Sequence, residues 1–215
     1  MKRIVVALFV LLVSSLWGQN YASKNSNLLA YRQKDGLYVL ENSRIKVVIE
    51  PKLGGRALSI VNKETGEELV QTFNPNSPDS AGAFYDIVDL SWPGLAKTPY
   101  EVKGFGLTKD ESKAYIEMSV EVGKANPTKK GLVLTKRISV DDVVPAVYSL
   151  VEIKNTEKKP IEVTYWHQSR PILGPTNKDA KSTWLPLEND VVEIGFNPGS
   201  AGHGPCARGA AGCGH

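Results

Sequence analysis

The chain has 215 residues, 23% of them charged and 41% hydrophobic, with a formal net charge of +3. This composition is that of a soluble globular protein, long enough for one sizeable core. Without Lys2 and Arg3, which sit in a targeting segment, 24 basic residues meet 23 acidic ones. Nothing in that balance points to nucleic acid or to an anionic membrane surface as a partner.

The N-terminus reads as a secretory signal peptide over residues 1–18. Met1-Lys2-Arg3 is followed by the apolar run Ile4 to Val13 and then by small and polar residues. The run is shorter than the about 20 apolar residues a membrane span needs. Cleavage after Gly18 is expected, leaving no stable membrane span; an uncleaved anchor is the alternative. Residues 19–35 are rich in Asn, Ser, Gln and Lys and read as a linker.

Residues 36–198 carry the pattern of a single β domain. Leu37 to Leu40 is a short strand. Arg44 to Glu50 and Arg56 to Asn62 form a hairpin around Pro51-Lys52-Leu53-Gly54-Gly55, where adjacent glycines permit positive φ. Glu67 to Gln71 is a further short strand. Residues 72–99 hold four prolines and read as a long ordered loop carrying Phe73, Phe84, Tyr85 and Trp92.

Strand patterns resume at Tyr100 to Phe105, Ala114 to Val122, Leu132 to Val140, Ala146 to Lys154 and Ile161 to His167. In the second of these, Ile116, Met118, Val120 and Val122 share one face, with Tyr115, Glu117, Ser119 and Glu121 on the other. Leu132, Leu134, Lys136 and Ile138 line one face of the third; Lys136-Arg137 reads as part of a solvated face. Val191 to Phe196 is a last short strand. Many short strands without an amphipathic helix predict an all-β fold, an antiparallel β-sandwich or barrel. Residues 199–215 are dominated by Gly and Ala and read as a disordered or non-native tail.

Two stretches resemble the galactose mutarotase-like (aldose 1-epimerase-like) β-supersandwich superfamily. ENSRIKVVIEPKLGGRALSIVNKETGEELV, Glu41 to Val70, is similar to its opening strands around Pro-x-x-Gly-Gly. LTKRISVDDVVPAVYSLVEIKNTEKKPIEVTYWHQSRP, Leu134 to Pro171, is similar to its long central strand pair with an Asn-Thr turn. The resemblance implies a supersandwich, C-terminally truncated here. It implies a catalytic histidine near His167, the single histidine outside the tail. The family's earlier histidine has no counterpart. Its late catalytic glutamate falls in a region this chain lacks, Glu188 and Glu193 being in no recognisable motif.

Mutarotation needs a base for the anomeric hydroxyl and an acid for the ring oxygen, roles that histidine and a carboxylate fill near neutral pH. Sugar binding needs less: aromatic faces with amide, carboxylate and guanidinium groups beside them. Candidate binding residues are Arg56, Asp86, Asp89, Trp92, Trp166, Gln168 and Arg170, with His167 the candidate catalytic residue. The blander roles are turn capping for the aspartates, a core plug for Trp92 and a backbone-bonded strand end for His167. His203, Cys206, Cys213 and His215 have no recognised zinc spacing, so neither metal nor cofactor is expected.

The sequence therefore predicts a secreted or periplasmic carbohydrate-binding protein without a complete catalytic set. An aldose 1-epimerase-like enzyme is the second reading. The third is a protein-interaction module like the periplasmic domain of the membrane insertase in the same superfamily.

Overall fold

The computed structural model describes residues 19–24, 26–71, 82–89 and 93–172. Five strands, β1 (Asn20–Ala22), β2 (Leu29–Arg32), β3 (Tyr38–Glu41), β4 (Ile45–Glu50) and β5 (Arg56–Asn62), form one antiparallel sheet in chain order. After β6 (Tyr85–Val88) come β7 (Glu101–Leu107), β8 (Lys113–Glu121), β9 (Leu132–Asp141) and β10 (Val147–Asn155). These last four form a second antiparallel sheet, again in chain order. β6 pairs with β11 (Tyr165–Gln168) in a two-stranded antiparallel ribbon. Among the described residues there is no α-helix, and no helix long and apolar enough to cross a membrane. The fold is all-β, two sheets packed as a sandwich.

Alternation explains the layers. In β4, Ile45, Val47 and Ile49 are buried while the residues between them are half-buried. In β8, Ala114, Ile116, Met118 and Val120 face inward, as the period-2 pattern predicts. These side chains join Leu28, Leu40, Leu134, Ile138 and Val140 in one core. Each such aliphatic side chain contributes about 1.5–3 kcal/mol by leaving water.

The stretch 19–35 is not a linker. It supplies β1 and β2, and Leu28 and Ala30 are fully buried. Its polar residues serve the turns: Ser23 Oγ donates to Glu111 Oε2 at 2.8 Å. The apolar run Leu28 to Tyr31 is short and sits among Asn, Ser and Gln, which masked it. The long loop predicted at 72–99 likewise contains β6, all four residues of which are buried. A strand enclosed on both faces shows no alternation, and four residues give little pattern to read.

Other predicted elements shift. Glu67 to Gln71 makes isolated bridges, Val61 with Glu68 and Val70 with Pro171, instead of a strand. Ile161 to Thr164 is irregular, and only Tyr165–Gln168 pairs as β11. Val191 to Phe196, the tail and its His and Cys residues lie outside the described residues.

The turn between β4 and β5 is fixed by its glycines. Gly54 and Gly55 have φ of 66° and 55°. A Cβ on Gly54 would lie 2.5 Å from the Ala96 carbonyl oxygen, and one on Gly55 2.9 Å from the Tyr100 ring. The turn therefore lies directly against the segment that follows β6.

Candidate functional site

Lys136 is the centre from which the site is built. It lies on β9 between Leu134 and Ile138, on the core-facing side, and its side chain is fully buried. The sequence placed it on a solvated face; the alternation of β9 turns it inward. A buried ammonium needs acceptors for all three of its donors. Nζ finds them in Asp86 Oδ2 at 2.7 Å, the Phe84 carbonyl at 2.5 Å and the Gly54 carbonyl at 3.2 Å. The Tyr100 ring centroid is 4.9 Å away, a cation–π contact.

Asp86, on β6, is equally buried. Its Oδ2 also accepts from the Tyr100 hydroxyl at 2.7 Å. Its Oδ1 accepts from the Tyr165 hydroxyl at 2.7 Å and lies 2.9 Å from His167 Nδ1. Two bonds on each oxygen fill the four acceptor positions of a carboxylate. Burial works to raise the Asp86 carboxyl, but the Lys136 charge and the bonds from His167, Lys136 and Tyr165 outweigh it, holding Asp86 well below the usual carboxylate range. Burial and the Asp86 charge push the Tyr100 and Tyr165 phenols far up, so both remain donors. Burial draws Lys136 below the ordinary ammonium value, Asp86 pulls it back and Arg56 adds to the depression. The two directions oppose one another across the pair, since one favours the charged form and the other disfavours it. The ammonium with three acceptors decides the matter in favour of an ionised pair.

An ionised Asp86 fixes the tautomer of His167. In the neutral ring Nδ1 carries the proton it shares with Oδ1, and the lone pair lies on Nε2. Among the described residues Nε2 has no hydrogen-bond partner, and the side chain is 26% exposed. The imidazole stacks on Phe84, centroids 5.7 Å apart and planes at 14°, with Tyr165 at 6.3 Å and 23°. Phe84 has φ of 62°, a left-handed conformation that costs a phenylalanine about 1–3 kcal/mol. It is held there by both backbone groups: the carbonyl accepts from Lys136, and the amide donates to Ser169 Oγ at 3.2 Å. The result is a carboxylate-oriented imidazole, partly open to solvent, beside an aromatic face. Such an arrangement can accept a proton or a hydroxyl hydrogen bond at Nε2.

The remaining predicted residues divide. Strand alternation places Tyr165 and His167 on the face that carries Asp86 and Val88. Trp166 and Gln168 lie on the opposite face, with Tyr85 and Ile87. Trp166 is half-exposed, but it does not share a surface with His167. On its side of the ribbon, Arg170 Nε donates to the Tyr85 hydroxyl at 3.0 Å. Arg56 is fully buried, its guanidinium 4.8 Å from the Tyr85 ring centroid. Arg56 donates from Nε to the Leu53 carbonyl at 3.1 Å and from Nη2 to the Ala96 carbonyl, tying two loops together.

Asp89 ends β6 at φ of 52°. Its carboxylate takes a 2.8 Å ion pair with Lys129 and the Thr164 amide at 2.9 Å, which keep it below the ordinary range. It performs the turn role that Asp residues favour. Trp92 lies outside the described residues.

Sequence reasoning missed Lys136, Tyr100, Tyr165, Phe84 and Ser169. Lys136 carried a signal: it is the one charged residue on an otherwise apolar face, and such a residue must have a buried partner. The tyrosines carried none, since a tyrosine on a strand reads equally as core.

A recess of about 480 Å³ opens at the Glu121 end of β8, lined by residues such as Lys124, Lys130, Leu132, Thr156 and Glu157. Its lining holds no aromatic ring and does not include His167; its charged groups are exposed surface residues such as the Lys124–Glu121 pair. Among the described residues no group of three or more His, Cys, Asp or Glu side chains is arranged to hold a metal ion.

A family model described as a domain of unknown function (DUF5107) matches residues 19–75. That stretch covers β1 to β5 and, of the candidate residues, Arg56 alone. No curated protein matches the sequence. Among solved structures the chain is similar to a TPR-domain containing protein from Parabacteroides distasonis, with 16% identity over 62% of this chain and a TM-score of 0.40. The match spans 26% of that protein's length.

Proposed function

We propose that the chain is a secreted or periplasmic carbohydrate-binding protein of galactose mutarotase-like fold, with its sugar contact at His167. The observation that carries this reading is the Asp86-held imidazole, its Nε2 open beside the Phe84 ring. A sugar hydroxyl donates to Nε2, and the apolar C–H patch of the pyranose rests on an aromatic face beside it. The basic, then apolar, then small-residue N-terminus supports export.

The test is isothermal calorimetry against a panel of neutral monosaccharides and oligosaccharides. His167→Ala and Phe84→Ala abolish binding, while Trp166→Ala, on the other face, leaves it within about twofold. Binding unchanged in His167→Ala would discard the site.

A second reading is favoured by the tautomer. With Nδ1 held by Asp86, Nε2 is a base, the role an aldose 1-epimerase-like enzyme requires. Polarimetry on freshly dissolved α-anomers checks it. An enzyme accelerates the decay of rotation and loses that acceleration in His167→Gln; a rate equal to buffer leaves binding as the function.

A further inference from the structure

We propose that the free edge of β10 is a self-association surface, on which a second copy of this chain adds its own β10 antiparallel to form a continuous eight-stranded sheet. This is independent of the sugar reading.

β10 is the outermost strand of the four-stranded sheet. Its nine residues pair with β9 in unbroken register, Val147 opposite Val140 through Asn155 opposite Leu132. On the other side, among the described residues, its backbone groups have no partner. Exposed edges are normally protected by lysine or other charges, by proline, by a bulge or by an inward charge. Between Val147 and Asn155 there is neither proline nor bulge, and both charges, Glu152 and Lys154, lie on the outward face. The inward residues Val147, Val151 and Ile153 pack on the core yet remain only partly buried. Ser149 Oγ is buried without a hydrogen-bond partner. On the outward face Leu150 is 69% exposed and Tyr148 42%. The preceding turn adds exposed Val143 and Val144.

The sequence of β10 selects a second copy as the occupant. In an antiparallel pairing centred on Leu150, the ends and the centre of V-Y-S-L-V-E-I meet like residues. Val147 meets Ile153 of the second copy, an apolar inward pair, and Ser149 meets its Val151, which leaves the Ser149 hydroxyl as it is in the single copy. Leu150 meets Leu150 on the axis, and Tyr148 meets Glu152. Lys113 Nζ sits 4.4 Å from the Tyr148 ring centroid, placing a positive charge where the incoming Glu152 arrives. Opposite charges and aromatic contacts across strands favour this register, and like charges facing each other disfavour it.

The test is sedimentation equilibrium of the full chain, with and without substitutions at Leu150. The wild type shows a reversible monomer–dimer equilibrium. Leu150→Lys, at an exposed position that leaves the circular dichroism unchanged, weakens dimerisation by about tenfold or more because two lysines meet on the axis. Leu150→Glu does the same, and an equimolar mixture of the two variants restores the dimer. A monomer at every concentration, a dimer indifferent to Leu150→Lys, or a mixture that stays monomeric each overturns the proposal.

Discussion

A buried ion pair whose every donor and acceptor is satisfied is expensive to break from one side. Asp86→Asn leaves the Lys136 ammonium without its counter-ion, and Lys136→Met leaves the Asp86 carboxylate without it. Each destabilises the fold by about 3–5 kcal/mol, measured by urea denaturation at pH 7. The double variant Asp86→Asn/Lys136→Met costs clearly less than the two together, because no lone charge remains. The pH dependence follows from the depressed Asp86 carboxyl. Its stabilisation is fully present above the unfolded value of about 3.9. It is lost as pH falls from there through the lower folded value. The wild type therefore loses stability with acid more steeply than Asp86→Asn does, as acid titration of the far-ultraviolet dichroism checks. At this scale the sequence was half legible. Asp86 and His167 were visible as chemistry-bearing residues, and their pairing was not, because they stand 81 residues apart and meet only through strand register.

The elements were read best where water forces alternation. β8 and β9 each have one wet and one dry face, and the inward sets Ile116, Met118, Val120 and Leu132, Leu134, Ile138 were plain. β6 was missed because neither of its faces is wet. β2 was missed because Ala30 is its single fully buried residue, and with Leu28 just before it gives too little pattern to outweigh the polar neighbours. The Gly-Gly turn was recognised for its conformation, but its second demand, close approach to Ala96, is visible only in three dimensions. Gly54→Ala combines positive φ with a backbone clash. It destabilises by about 2 kcal/mol or more, read as a lowered midpoint in thermal melts. Because the Gly54 carbonyl also accepts from Lys136, the same substitution disturbs the buried cluster that orients His167, and it weakens the proposed sugar binding without touching the sugar.

At the level of the whole molecule, an antiparallel sandwich was legible from strand spacing and from the absence of helical periodicity. The part played by residues 19–35 was not. β1 and β2 complete the first sheet, and the Tyr21 ring packs edge-on against Phe105 with centroids 5.2 Å apart. A version starting at residue 36 therefore exposes the Leu40 and Phe105 side of the core. It melts well below the longer chain or fails to stay soluble, in contrast to the harmless trimming a true linker would allow.

The order of the strands carries a consequence for how the molecule assembles. Both large sheets are meanders whose neighbours are adjacent in sequence, so each can form from short-range pairings. The ribbon of β6 and β11 instead closes a span of some eighty residues before it gains any contact. Such a closure is entropically costly and kinetically late. The imidazole and its carboxylate thus come together after the two large sheets exist. Amide hydrogen exchange at Tyr165 to Gln168 then reports opening of the ribbon alone, faster than the exchange of β8 and β9. A molecule that seats itself on His167 slows those few amides first.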